Sequence, residues 1–259
     1  FHSTCRVTSS SRTVEDQFAV ISCNASAPEL YEVFVRAVAA TAEQLPPETS
    51  TVDLQRCLQA LLDLFRALAR PSNQEVTGLW AELFIIAYTE NVSYALEAWH
   101  ANQFEKFDFS WALDCLEVKA TVKDSRQHEF ALEQLRKPSG GAGYVASMLL
   151  RPLSGGLGIL DLASKIERSL VLHPTLRQKL WANITSALGS DFSEKLDRRF
   201  DGTHAERTLM VYAMDDIPAP ETPADPRVTE VRFRADLTTV RSTLVGTPRA
   251  LLNAIFIKT

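Results

Sequence analysis

The chain has 259 residues, 46% of them hydrophobic and 23% charged, with a formal net charge of −5. These are ordinary globular values; no apolar run reaches the roughly 18–20 residues that cross a bilayer, and the acidic balance argues against an indiscriminate nucleic-acid coater, which would be basic. Four cysteines, Cys5, Cys23, Cys57 and Cys115, are scattered without a C-x-x-C pair, so neither a zinc site nor a disulfide framework is expected, and reduced thiols in a cytosol are the simpler reading.

The start, Phe1-His2-Ser3-Thr4, has no initiator Met and no signal-like apolar stretch. It predicts a cytoplasmic chain with upstream residues, further strands among them, before Phe1. Three N-x-[ST] sequons, at Asn24, Asn91 and Asn183, are taken as chance. Phe1–Val7 and Gln17–Cys23 carry β-branched and aromatic residues around a Ser-rich turn and predict two strands. Ser26-Ala27-Pro28-Glu29 is a capping box opening a helix through Ala42, which Pro46-Pro47 ends. Ser50–Arg70 predicts a second helix with a broad leucine stripe, and 72–90 a third with Leu79, Leu83, Ile86 and Ala87 inward. Glu82 is a lone acid among the large apolar residues of that helix, and periodicity alone makes it a surface residue. Tyr94–His100 predicts a short helix with Trp99 on its apolar side.

Two strands follow, about Phe104–Ser110 and Cys115–Val122. The turn from Trp111 to Asp114 has no Asn-Gly or Asp-Gly signal, so the register stays open. Gln127–Leu132 predicts a third strand, then a short helix with Glu133, Gln134 and Leu135, and Tyr144–Leu150 a fourth strand. Gly155-Gly156-Leu157-Gly158 lacks the Gly-Lys-[Ser/Thr] ending of a phosphate loop and is read as a loop before a helix. Leu160–Val171, Pro174–Leu188 and Phe192–Phe200 are helical by spacing, Arg207–Met214 a strand, the proline-rich 215–227 a loop, and Val228–Leu237 an edge strand. Ala250–Ile257 fits either a helix or a strand. This divides the chain into 1–73, two strands and a helical hairpin; 74–155, a core; and 156–259, a helical extension with additional strands.

The chemistry concentrates at Phe107–Thr121. On a strand, Glu117, Lys119 and Thr121 point to one face and Leu116, Val118 and Ala120 to the other. Asp108, in the neighbouring strand, would bring a second carboxylate to the polar side. Asp114 is a rival, but its odd spacing from Glu117 puts it on the opposite face. Two such carboxylates can share Mg²⁺, which takes oxygen ligands and polarises a phosphoryl oxygen, while a nearby ammonium stabilises growing negative charge. The expected chemistry is metal-assisted phosphodiester hydrolysis. From Lys119 to Arg151 six basic residues stand against three acidic ones, as on a phosphate-facing surface. A glycosidase pair fits the adjacent lysine less well, no G-x-S-x-G elbow is present, and the five histidines show no metal-ligand spacing. His128, the nearest in sequence, is read as structural or solvent-facing.

Asp108 followed by Glu117-Val118-Lys119 resembles the PD-(D/E)XK nuclease superfamily. More narrowly, Gly78-Leu79…Glu82-Leu83, Asp108-Phe109, Glu117-Val118-Lys119-Ala120-Thr121 and Gln134-Leu135 resemble, in that order, a bacterial family known as PD-(D/E)XK motif proteins. Phe107 stands where the motif has proline, which supplies no ligand. The resemblance implies an α/β (α+β) fold with a restriction-endonuclease-like core, a small mixed central sheet flanked by helices, and a helical C-terminal extension. It implies that Asp108, Glu117 and Glu82 hold Mg²⁺, with Mn²⁺ as substitute, that Lys119 is catalytic, and that Gln134 is the glutamine some members carry after the core hairpin. The implied activity is a DNA endonuclease of a restriction or anti-phage defence system, beside helicase, ATPase or methyltransferase partners. Two-strand cutting often needs two sites, so a homo-oligomer is among the expected partners. The competing expectation is an inactive nuclease-fold subunit that binds DNA or partner proteins.

Overall fold

A computed structural model of the protein describes residues 2–22, 28–72, 74–100, 105–225 and 227–257. The chain opens with a hairpin, β1 (His2–Thr8) and β2 (Thr13–Ala19), then runs through α1 (Pro28–Ala42), α2 (Thr51–Leu68), α3 (Val76–Tyr88) and α4 (Val92–Ala98). β3 (Phe109–Trp111) and β4 (Asp114–Thr121) follow, then β5 (Gln127–Ala131), a 3₁₀ turn at Leu132–Leu135, β6 (Gly143–Leu149) and β7 (Pro152–Leu157). The remainder is α5 (Ile159–Arg168), α6 (Pro174–Leu188), α7 (Phe192–Asp197), α8 (Gly202–Thr208), β8 (Met210–Ala213), β9 (Arg232–Asp236) and α9 (Pro248–Ile255). The Ser26 cap lies outside the described residues; Ser50 caps α2 through a reciprocal bond with Asp53.

The central sheet has four strands in the order β3-β4-β6-β8. β4 and β6 are parallel and the two outer pairings antiparallel, so the sheet is mixed, as expected. Its two faces follow the alternation of β4. Leu116 and Val118 join Phe109, Ala146, Met148 and Val211 in the main core, against α3. Cys115 joins Val145, Tyr212 and Phe130 in a smaller core on the other face. α3 lies so deep that Leu79–Ala87 are all buried. This is why helical periodicity could not place Glu82: a helix covered on all sides has no solvent face to mark. The main core runs from Val33 to Phe256 and joins all the large helices to the sheet.

Several elements differ from the sequence reading. β5 does not extend the central sheet; it pairs only with β9, so what reads as an edge strand is half of a separate two-stranded ribbon. The loop read at 155–158 is taken up as far as Leu157 by a strand, residues 152–157, bridged at both ends to Phe200. Gly156 permits this: a Cβ there would stand 2.3 Å from the Phe200 carbonyl oxygen. The first two residues of the strand expected at 207–214, Arg207 and Thr208, belong to α8, which Asp201 caps. β2 begins at Thr13, ahead of the predicted strand, and the ambiguous C-terminal segment is helix α9, with Thr247 as cap and Pro248 in its first turn.

The unmarked β3–β4 turn is two residues, Ala112 and Leu113, closed by the pair Trp111↔Asp114. Ala112 adopts the left-handed region at φ 47°, an uncommon state for a non-glycine residue. Gly141 packs beneath it, where a Cβ would fall 1.8 Å from the Leu113 carbonyl oxygen.

Leu116 is fully buried at the centre of this sheet. Leu116→Ala is expected to lower unfolding free energy by about 2–5 kcal/mol in denaturant titrations. Leu172→Ala, at a side chain 88% exposed, should change it by no more than about 0.5 kcal/mol.

Candidate functional site

The β3–β4 register decides what meets what. Phe109 pairs with Leu116, and carrying that register one residue further sets Asp108 opposite Glu117, where side chains share a face. β3 itself starts only at Phe109, so Asp108 sits at the point where the chain leaves the ladder. Its Oδ2 accepts the Val118 N–H at 2.6 Å, fixing the carboxylate beside β4.

Lys119 lies two residues beyond Glu117 on the same face, with Nζ 2.8 Å from Glu117 Oε1. The same ammonium donates to Gln134 Oε1 at 3.3 Å and stands 5.1 Å from the centre of the Phe130 ring. Gln134 is itself braced: its Oε1 accepts the Ala131 N–H at 3.0 Å, and its Nε2 donates to Glu117 Oε1 at 2.5 Å. Gln134 therefore bridges the acid and the lysine from the 3₁₀ turn after β5.

Glu82 reaches the site from α3 and is 3% exposed. A buried carboxylate is costly unless N–H donors replace its water. Glu82 has three partners: Trp99 Nε1 donates to Oε2 at 2.7 Å, Gln74 Nε2 to Oε1 at 2.9 Å, and His100 Nε2 lies 3.1 Å from Oε2. His100 is carried in because Trp99 bridges Phe109 at the outer edge of β3, with the His100 N–H donating to the Asp108 carbonyl at 2.9 Å. α6 fastens this segment: Asn183 Nδ2 donates to the His100 carbonyl at 2.6 Å, and Lys179 donates to the Trp99 carbonyl.

Glu82, His100, Asp108, Glu117, Lys119 and Gln134 line one cleft of about 610 Å³. Burial, and then the charges of Glu117 and Glu82, push the Asp108 carboxyl well above the usual carboxylate range, against the opposing pull of the Val118 N–H and Lys119. Burial also raises Glu117, with Lys119 acting the other way. Glu117 Oε2 is buried with no hydrogen-bond partner, although native structures seldom leave a buried carboxylate oxygen unpaired. One ligand atom each from Glu82, His100 and Asp108 lies within 4.8 Å of the others. Glu82, His100 and Asp108 make a donor set that fits a divalent cation, and the unpaired Glu117 Oε2 belongs to a residue lining the same cleft.

All five residues singled out in the sequence, Glu82, Asp108, Glu117, Lys119 and Gln134, line this cleft. The rival Asp114 lies at the far end of β4, where its Oδ1 accepts the Ala142 N–H at 2.7 Å. His100 was missed. Its partners sit on a helix and at a strand end, so no local spacing reveals it; the available signal was a Trp-His pair just before the Asp-Phe step. His128 is buried, 2.8 Å from Ser147 Oγ, and burial pushes it down to about 4. The positive surface expected after Lys119 is mostly committed elsewhere: Arg126 donates to the carbonyls of Ser147 and Thr208, Arg136 to Thr222, and Lys137 pairs with Asp215. Besides Lys119, the cleft is flanked by Lys106, which donates to the Arg136 carbonyl at 2.5 Å, and Arg232, 3.7 Å from Glu129.

Asp108→Asn keeps an acceptor for Val118 but removes a repelling charge. It should raise the melting temperature of the metal-free protein at pH 7, by about 2–4 °C for each kcal/mol relieved. His128 ionises near 6.5 when unfolded and at about 4 when folded. The unfolded chain therefore holds more protons between those values, and stability falls as pH drops through that window, at most by about 1.4 kcal/mol per unit. Urea titrations across that range should show a shallower slope for His128→Gln.

The model of the family DUF4420, described as "Putative PD-(D/E)XK family member", matches residues 2–238. No curated protein and no solved structure gives a significant match. The mixed sheet with its flanking helices is consistent with a restriction-endonuclease-like fold, and over nearly all its length the chain belongs to this PD-(D/E)XK family.

Proposed function

We propose that the protein is a divalent-metal-dependent DNA endonuclease that hydrolyses phosphodiester bonds. The observation that carries this reading is the unpaired, buried Glu117 Oε2 in a cleft shared with Asp108, while Glu117 Oε1 holds the Lys119 ammonium at 2.8 Å. Asp108 and Glu117 would hold Mg²⁺ or Mn²⁺, with Glu82 assisting from α3; when bound, the ion supplies Lewis-acid polarisation of a phosphoryl oxygen and a more acidic water.

Lys119 is kept in place by Glu117, Gln134 and the Phe130 ring. Its role is to orient the attacking water or to stabilise negative charge growing on the phosphate. Gln134 keeps Lys119 and Glu117 in register. Lys106 and Arg232 are the flanking cations suited to the backbone of DNA, while Glu75, Glu105 and Glu129 line the same cleft and oppose binding of a bare polyanion. The bound cation would therefore contribute to DNA affinity as well as to chemistry. A role in bacterial restriction or phage defence, in the cytoplasm, beside helicase, ATPase or methyltransferase partners, rests on the family resemblance.

The test is supercoiled plasmid incubated with the purified chain and Mg²⁺ or Mn²⁺. Cleavage is expected with either ion and none with chelator. Lys119→Ala and Glu117→Gln, folded by thermal melt, should lose roughly 10²–10³ in rate. A Lys119→Ala variant that cuts as fast as wild type would remove that residue from the mechanism. Wild type that binds DNA but neither binds a divalent ion nor cuts would make the protein an inactive binding subunit.

A further inference from the structure

We infer that His100 gives an imidazole nitrogen to the cation of this site, with Glu82 as the carboxylate that orients the ring, and that the site consequently favours a first-row transition ion over Mg²⁺. The inference rests on the preceding reading that the cleft takes a divalent cation, and it goes further by naming a nitrogen ligand and the class of ion.

The argument begins with proton positions. Glu82 already accepts an indole N–H on Oε2 and an amide N–H on Oε1. It is therefore an acceptor toward His100 too, and the nitrogen 3.1 Å away, Nε2, is the one that carries hydrogen. An imidazole whose one N–H is on Nε2 keeps its lone pair on Nδ1. That atom is buried and has no hydrogen-bond partner. Across the described residues, two of the unpartnered buried atoms, His100 Nδ1 and Glu117 Oε2, belong to residues lining this one cleft. A basic nitrogen and a carboxylate oxygen, both withheld from water and both without a donor, call for a cation rather than another hydrogen bond.

The ring is also held as a ligand would be. The backbone of His100 is tied on one side to Asp108 and on the other to Asn183. Carboxylate to imidazole N–H, with the second nitrogen left for a metal, is the usual orienting arrangement of histidine ligands. Mg²⁺ demands oxygen donors and gives up water reluctantly, whereas imidazole suits later first-row ions, whose affinity for mixed nitrogen and oxygen sites rises from Mn²⁺ through Co²⁺ to Ni²⁺.

The experiment uses the full chain without DNA. Mg²⁺ and Co²⁺ are titrated by calorimetry into wild type, His100→Ala, His100→Gln and, as a control for stray histidine binding, His173→Ala at an exposed position. The visible spectrum of the Co²⁺ form is recorded alongside. The expected result is a Co²⁺ affinity that falls at least about tenfold in both His100 variants with a shifted Co²⁺ spectrum, a Mg²⁺ affinity that moves less than about threefold, and no change in His173→Ala. Thermal melts show which variants are folded; if only His100→Gln is, it carries the comparison. Equal losses for both ions, or Co²⁺ affinity and spectrum unchanged in a folded variant, overturn the nitrogen-ligand assignment and leave the nuclease reading standing. Wild type that binds neither ion overturns both.

Discussion

One hydrogen bond organises this molecule: the Val118 amide donating to the Asp108 carboxylate at 2.6 Å. It joins the first residue beyond the β3 ladder to the middle of β4 and so holds a carboxylate beside Glu117, where electrostatics alone would drive the two apart. Burial disfavours the ionised forms of both, with the charges of Glu117 and Glu82 adding to it at Asp108 and that of Glu82 at Glu117, and only a structure fixed from several directions can keep them there. The parallel β4–β6 pairing, the deep packing of α3 and the fastening of Trp99–His100 by α6 supply those directions.

Stability and chemistry are separated by the alternation of β4. Leu116 and Val118 face the main core, which joins helices from both ends of the chain. Glu117 and Lys119 face the smaller, partly polar side, where the β5–β9 ribbon contributes Phe130 and the turn after β5 contributes Gln134. The two sides answer to different constraints. Apolar packing tolerates substitution of similar volume, while the polar side depends on donors matched one by one to acceptors. A stability–function conflict follows, because the acids that fit the cleft for a cation weaken the protein when no cation is bound.

Much of this was legible in the sequence, and the limits have physical causes. The period-two pattern of Leu116–Thr121 gave β4 and both its faces, with Glu117 and Lys119 together, Asp108 followed from the neighbouring strand, and Gln134 was named from motif order. Glu82 was invisible to periodicity because α3 is buried all round; only the family pattern singled it out. His100 was hidden because its neighbours come from α3, β3 and α6, a juxtaposition that no single window contains. The pairing of β5 with β9 was not legible, since a strand's alternation states which face is covered but not which strand lies beside it. Residues 155–158 read as loop because glycines suggest turns, whereas Gly156 allows close backbone approach to Phe200.

The long reach of the ribbon has a consequence for how the protein is made. The hairpin bearing the two acids closes locally, but β5 finds its partner at Gln127↔Asp236, a separation of 109 residues. On the ribosome, the acids are assembled well before the strand that steadies the lysine's surroundings has been translated. Pairings of such span form late. In a nascent chain the surroundings of Lys119 would thus stay incomplete until the segment around Asp236 has emerged.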